Sequence, residues 1–575
     1  GSGSTALATL YSDASTPTAY PAVTTRDVGS NGGQAIAFMY DLAKSVIYTR
    51  QGNPTWAGQK RDNQGGPPRS DDMYFGGSSN DWVDLSKVSI PQADEQQRLL
   101  NNIMMLGNYD KKPIPRMWFL PKDLKAAVVM SGDDHGAGWA GVRMNHLAND
   151  FSAPNGASDV TNWTALRSTG YMFPTSTQMN NADFSTLIAA GFEFGLHLNT
   201  GCSFWTNTSW NSSWNTQLAQ LKSNYTSLSD PLTLRTHCVP WSDWASQPKL
   251  EYAHGVRLDL NYYYWPGSWV NDRPGMFTGS GAPMRFADID GTTIDVYQVT
   301  TQMTDESAQS FPQTINALLD KATGAEGYYG VFAANMHTDQ PTETQFDAIV
   351  TSALSHGVPV ISAKQLLNWL DGRNNSSFGT MTWNANQLSF TVTQDGNAAN
   401  LRAMLPMTVA SGSLVSVTRN GSPLTISTAT IKGIDYGFFD AQSGSFIATY
   451  ATVTPVELIS LKGEPANSTD IKLDWATASE NNNKGFGVQR STDRVTWVDA
   501  GFVPGAGHSS IKQSYSFMDR NLSPAKYYYR LKQVDMDGKF NYSNIINVSL
   551  QPYDNFLLLQ NYPNPTVGGM TRINY

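Results

Sequence analysis

Between residues 116 and 373 short apolar runs alternate with amphipathic ones, and no other feature restricts the fold of this chain as much. The run Ala126-Ala127-Val128-Val129-Met130 reads as a strand and leads directly into Ser131-Gly132-Asp133-Asp134-His135-Gly136. Further on, Phe184 to Ala190 predicts a helix that Gly191 ends, and Phe192 to Leu196 predicts a strand leading into His197. The segment closes with a helix over Thr344 to Ser355, Gly357 as its cap, a strand over Val358 to Ile361 and a helix from Ala363 to Leu370. Strands alternating with helices predict a parallel sheet wrapped by helices. Such sheets carry their chemistry at the C-terminal ends of the strands. Polar, ligand-type residues recur at those positions here.

The flanking segments follow other patterns. At 575 residues the chain exceeds a single core, and several domains are expected. In residues 1–115, Ala35 to Tyr40 predicts a buried strand and Asp94 to Met105 an amphipathic helix, with a long Gly/Pro/Asp loop between them. This region resembles the closing part of an amidotransferase-like α/β domain. After a linker at Arg373 to Ser377, helical patterning stops, and Leu388, Phe390 and Val392 alternate with polar residues. Residues 380–452 and 453–550 predict two small β-sandwiches. The second, with Ile471 to Trp475 and Tyr527 to Leu531 as strands, resembles a fibronectin type III module. Residues 551–575 contain Gln560-Asn561-Tyr562-Pro563-Asn564-Pro565, which resembles the opening of a type IX secretion sorting domain. That resemblance implies export by a dedicated secretion machinery and a secreted or cell-surface protein.

Composition narrows the partners. Charged residues are 15% of the chain and the net charge is -9, with no basic cluster, so a nucleic-acid partner is not expected. No apolar run reaches the length of a membrane span, so no transmembrane segment is expected. Sixteen tryptophans suit a protein that stacks indoles on sugar rings, although most of them pack cores in any protein. Cys202 and Cys238 are the only cysteines, too few for a disulfide framework, and could bridge each other in an oxidising compartment.

Histidine is scarce, with eight in the chain, yet His197, His237 and His337 each stand beside a predicted strand end of the α/β region. With Asp133 and Asp134 they make a candidate catalytic constellation. On these residues, 116–373 resembles the polysaccharide deacetylase family, whose fold is a distorted (β/α) barrel. By that resemblance Asp133 matches the catalytic base and Asp134 a metal ligand. Glu193-Phe194-Gly195-Leu196-His197 matches the first half of the family's His-x-x-x-His motif, but the position of the second histidine is Gly201. A replacement ligand is therefore required. His237 is the first choice, two residues beyond Arg235 and on the same strand face. His135 and Cys202 are the alternatives, and a Cys202–Cys238 bridge is preferred to a thiolate ligand.

The remaining motifs assign Arg235 to hold Asp133, Asp259 to orient Arg235 and His337 to act as general acid. Trp241, Tyr264 and Trp265 are candidate substrate-binding residues. The resemblance implies a divalent metal, zinc above all, and hydrolysis of acetyl groups on an extracellular polysaccharide by metal-activated water. Two rival readings remain: a glycosidase built on Asp133 and a distant carboxylate, and a non-catalytic polysaccharide-binding protein on a decayed deacetylase fold.

Overall fold

The computed structural model describes residues 3–551 except 14, 29–32, 109–110, 411, 452–455, 510 and 537. The expected sorting segment, 551–575, thus lies almost wholly outside the described residues. The chain divides into two compact units, one of residues 1–410 and 414–450 and one of 411–413 and 451–575.

The first unit opens with three antiparallel strands, β1 (Thr5–Tyr11), β2 (Pro17–Val28) and β3 (Gly33–Phe38). β3 is the strand expected near Ala35, but it is not buried: Ala35 and Ala37 are exposed and Met39 is 61% exposed. Helices α1 (Leu42–Gln51) and α2 (Gln92–Leu106) follow. Both are tied to much later chain. The buried Gln51 side chain donates to Ala287 O and accepts from Ala287 N–H, and Asp94 accepts from the N–H groups of Gly281 and Ala282. Among the described residues of 1–115 the strands pair only antiparallel, so the parallel pairing of an amidotransferase-like α/β domain is not seen.

After the short β4 (Arg116–Met117) comes the alternating region. In order it contains β5 (Ala126–Asp134), α3 (Ala140–Asn149), α4 (Ala157–Thr161), β6 (Thr169–Met172), α5 (Asn181–Ala189), β7 (Glu193–Leu198), α6 (Asn207–Asn224), β8 (Thr233–Thr236), α7 (Ser246–Ala253) and β9 (Leu258–Asp259). There follow α8 (Gly267–Val270), β10 (Met284–Ala287), β11 (Thr293–Gln298), β12 (Thr301–Thr304), α9 (Gln313–Thr323), β13 (Gly330–Asn335), α10 (Thr344–Ser355), β14 (Val360–Ile361) and α11 (Ala363–Asn375). The local signals work as expected. Asn180 caps α5 by accepting from Asp183 N–H, Gly191 turns at φ 94°, and Ser362 with Gln365 forms a capping box on α11.

These strands form one curled half-barrel sheet in the order β10-β11-β9-β8-β7-β6-β5-β13-β12, with β14 also on β5. Every pair is parallel except β10 with β11. The curl carries the residues beyond β9 across to β12: Tyr263 bridges Thr301, whose N–H donates to Tyr262 O at 2.8 Å. β5 is an interior strand with all nine residues buried, which explains its unbroken apolar run.

The chain does not loosen into a linker after this region. α11 runs through Asn375, and the Arg373 guanidinium donates to the carbonyls of Trp118 and Met117 at 2.8 and 3.1 Å. Residues 377–450 then supply two β-sheets, one of which recruits β4 by pairing it with Arg402–Pro406. Val129, Trp369, Phe390 and Phe439 belong to one core that passes from the curled sheet through α11 into these strands. In the second unit, one long strand, Ile471–Ser491, pairs with Val456–Pro465, Val498–Ser509, Gln513–Asp519 and Lys526–Asp535. Apolar residues from both of its halves, among them Trp475 and Val488, share a single core.

Candidate active site

The C-terminal ends of β5, β7, β8 and β13 converge on one cluster. In a strand, alternate residues share a face. At the end of β5 this sends Asp133 and His135 to one side and Asp134 to the other. Asp134 turns into the loop before α3. Its Oδ1 accepts from the N–H groups of Gly136 and Gly138 at 2.8 and 3.2 Å, and its Oδ2 accepts from Ala140 N–H at 3.3 Å. It closes a turn, and the structure does not bring it into the histidine cluster where it was expected as a metal ligand.

The side chains that could hold a metal ion here are His135, His197 and His237, each offering a nitrogen within 4.8 Å of the others. His197 Nδ1 faces the carbonyl of Arg235 at 3.2 Å, and His135 Nδ1 lies 2.8 Å from Asp339 Oδ2. Each contact occupies Nδ1 and turns Nε2 of that ring toward the cluster, the usual outer-shell arrangement for metal-bound imidazoles. His237 Nδ1 is 3.3 Å from His197 Nε2. Burial holds His197 neutral by lowering its pKa to about 3, and burial lowers His237 too. Three converging imidazole nitrogens fit a divalent cation such as zinc. The half-buried ring of Phe173, just past β6, stands edge-on to His237 at 5.3 Å.

Asp133 stands beside this cluster, 4% exposed. Its Oδ2 accepts from Asn335 Nδ2 at 2.9 Å, whereas its Oδ1 accepts no hydrogen bond. That free oxygen lies 3.9 Å from His197 Nδ1 and 3.6 Å from Arg235 Nε. Burial alone would raise the Asp133 pKa, but the surrounding cationic groups outweigh it and hold the carboxylate below its ordinary value. Because His197 is neutral at neutral pH, Arg235 and His337 supply the positive charge that keeps Asp133 ionised there.

Arg235 is fully buried and is positioned by hydroxyls, with one guanidinium nitrogen 3.1 Å from Ser131 Oγ and 3.0 Å from Thr301 Oγ1. Asp259 was expected to orient it, but the two make no hydrogen bond. Asp259 accepts from Asn261 N–H and shares a buried acidic contact with Glu251, and burial raises both carboxyls.

His337 lies just past β13, its ring stacked on that of His135 with centroids 5.2 Å apart. Its Nδ1 is 2.8 Å from Asp305 Oδ1, and Asp305 Oδ2 accepts its backbone N–H at 2.8 Å. Burial would depress this histidine. The hydrogen bond to Asp305, with the charges of Asp133, Asp305 and Glu306, outweighs burial and pushes the pKa up to about 9.

The remaining expected residues separate. Cys202 and Cys238 are joined by a disulfide with Cα atoms 5.4 Å apart, which removes Cys202 as a metal ligand and ties the loop after β7 to the loop after β8. Trp241 and Tyr264 are not substrate-facing. Both are buried in an aromatic core, Trp241 against Tyr262 and Phe286 and Tyr264 against Phe277. Trp265 is half-buried. Asp305, Asp339, Asn335 and Phe173 were not singled out in the sequence. Asp339 had a usable signal, since it stands two residues beyond His337, but Asp305 pairs with His337 across 32 residues.

No protein-family model matches the chain, and no curated protein does. Solved structures similar to parts of it include the sixth fibronectin type III domain of human fibronectin type III domain containing protein 3, at 16% identity over 18% of this chain and 92% of that one, TM-score 0.15. The FN1–FN3 domains of chicken CNTN1 match at 11% identity over 30% of this chain and 67% of that one, TM-score 0.13. A purple acid phosphatase from yellow lupin seeds matches at 11% identity over 31% and 42%, TM-score 0.15. No helix among the described residues is long and apolar enough to cross a membrane.

Proposed function

We propose that this protein is a metal-dependent hydrolase that removes acetyl groups from an extracellular polysaccharide, on a curled sheet of the polysaccharide deacetylase type. The observation that carries the reading is the juxtaposition of three convergent imidazoles with an ionised, half-satisfied Asp133 and a protonated His337. His135, His197 and His237 would hold the cation. Bound there, a divalent ion would supply an electrophile for the acetyl carbonyl and lower the pKa of water from 15.7 to about 7.

The chain's own residues account for the proton movements. The free Oδ1 of Asp133 takes the proton of the attacking water as its oxygen bonds to the carbonyl carbon. Asn335 and Arg235 hold the carboxylate in place during that step. His337, charged by its bond to Asp305, gives its proton to the departing amine or hydroxyl as the acyl bond breaks. Such an acid contributes about 10²–10⁴-fold. The products are acetate and the deacetylated sugar.

The disulfide suits an oxidising compartment, and with the sorting-type terminal segment it supports a secreted or cell-surface location. The deciding experiment measures acetate release from a panel of acetylated polysaccharides, with and without chelator. Asp133→Asn should fold normally and lose at least about 10³-fold in rate; retained activity, or activity indifferent to chelator, would overturn the proposal.

A further inference from the structure

A second group of buried acids lies apart from the histidines, in residues 60–72. This segment packs on the rim of the site. Arg69 bridges Pro240 and donates through Nε to Cys238 O at 2.9 Å, Trp241 N–H donates to Pro68 O at 2.8 Å, and Ser70 Oγ donates to Asn261 O at 3.2 Å. It thereby braces a strained turn, since Cys238 and Val239 hold φ angles of 61° and 44°.

Asp62, Asp71 and Asp72 are each 1% exposed, and one carboxylate oxygen from each lies within 4.8 Å of the others. Their ordinary partners are unevenly shared. Asp72 accepts from the N–H groups of Asp62 and Arg69, both at 2.8 Å, and from Lys60 Nζ at 3.3 Å. Asp62 Oδ1 accepts from Gln64 N–H at 2.9 Å and pairs with Lys60 Nζ at 2.6 Å. What remains is the independent observation: both oxygens of Asp71, and Asp62 Oδ2, are buried and accept no hydrogen bond. Arg69 approaches Asp62 Oδ2 only to 3.8 Å.

Lys60 and Arg69 balance two of the three carboxylates and leave Asp71 uncompensated. A buried carboxylate without a partner either takes a proton or binds a cation. A proton on Asp71 would satisfy one of the three orphan oxygens. A hard cation would satisfy all three together. The donors are oxygens only, which excludes a preference for zinc. The three carboxylates each bring an oxygen within 4.8 Å of the others, a span that one ion with contacts of about 2.3–2.6 Å can bridge, and calcium takes several protein carboxylates where magnesium keeps several waters. We propose that Asp62, Asp71 and Asp72 form a calcium site, separate from the histidine cluster, that fastens residues 60–72 onto the rim formed by Cys238–Trp241 and Asn261.

The test uses the full chain stripped with a calcium chelator and dialysed against calcium chloride, with bound calcium measured by elemental analysis. One calcium per chain is expected, unaffected by His197→Ala and lost in Asp71→Asn. Saturation about 100-fold above the dissociation constant should raise the unfolding temperature of the stripped protein by several degrees. Calcium should also slow tryptic cleavage after Lys60 and Arg61 at least tenfold, a local readout that needs no variant to fold. Absence of bound calcium at millimolar concentration overturns the proposal. So does calcium bound equally by Asp71→Asn, or calcium that leaves cleavage at these bonds unchanged.

Discussion

Asp305→Asn is the most informative single substitution, because it separates the charge of Asp305 from its shape. Asn can still accept a hydrogen bond from His337 Nδ1 through its one amide oxygen, giving up the bond from the His337 backbone N–H, while the nearest negative charge is removed. In the native protein the His337 pKa stands at about 9, with burial opposing and the Asp305 hydrogen bond leading the groups that raise it. Without that charge the histidine should return to about 6.5, its ordinary value. At pH 8 the protonated fraction would fall from about nine-tenths to about 3%, roughly a 30-fold loss of general-acid activity, while at pH 6 the loss would be less than about twofold. The assay is acetate release between pH 6 and 10, with the His337 ring titrated by NMR in the metal-free protein. The same change has a stability signature. A histidine whose folded pKa lies above its unfolded one stabilises fully below about pH 6.5, and that contribution disappears as pH rises through about 9. The variant should therefore lose roughly 1–3 kcal/mol on the acid side and almost nothing above pH 9. An alkaline limb still near pH 9 in Asp305→Asn, or an equal loss of activity at pH 6 and pH 8, would refute the role given to Asp305.

The other substitutions discriminate between residues that the sequence treats alike. Replacing His135, His197 or His237 by Ala should each abolish stoichiometric zinc binding in equilibrium dialysis, whereas Asp134→Ala should keep the metal and lose roughly 2–4 kcal/mol of stability by denaturant unfolding, since it strands three backbone N–H groups. The double variant Cys202→Ser with Cys238→Ser should lose about 3–4 kcal/mol, as expected for a loop of 36 residues, and a reducing agent should lower the native protein's unfolding temperature to match. Trp241→Ala should cost roughly 3–5 kcal/mol without changing the KM for polysaccharide in the surviving folded fraction, because the indole is core packing. A KM rise with unchanged stability would return it to the substrate site.

Local periodicity made much of the curled sheet legible. The helix expected over Thr344 to Ser355 is found with those bounds, and α2, α5 and α11 lie where their apolar spacing and caps placed them. Those signals are short-range, and a buried parallel sheet amplifies them, because each strand must be apolar on both faces. Residues 1–115 were illegible for the opposite reason. Their helices have modest apolar faces and satisfy polar groups over more than 180 residues, as between Asp94 and Gly281, a relation that no local pattern encodes.

The site divides in the same way. Asp133, His197, His237 and His337 stood out because each lies at or just past a predicted strand end, and Arg235 came from the motif resemblance alone. Adjacent residues at the end of β5 must face opposite ways, which is a geometric fact available from sequence. Applied to Asp134 as the presumed ligand, it turned His135 away from the metal. The structure keeps the alternation and reverses the assignment: Asp133 and His135 share the inner face, and Asp134 goes to the three N–H groups that open the next helix. Choosing the inner residue required knowing which of two carboxylates the Gly136-containing turn would consume. That turn needs an acceptor for otherwise unpaired backbone donors, and an aspartate directly before it meets the need at no cost in new contacts.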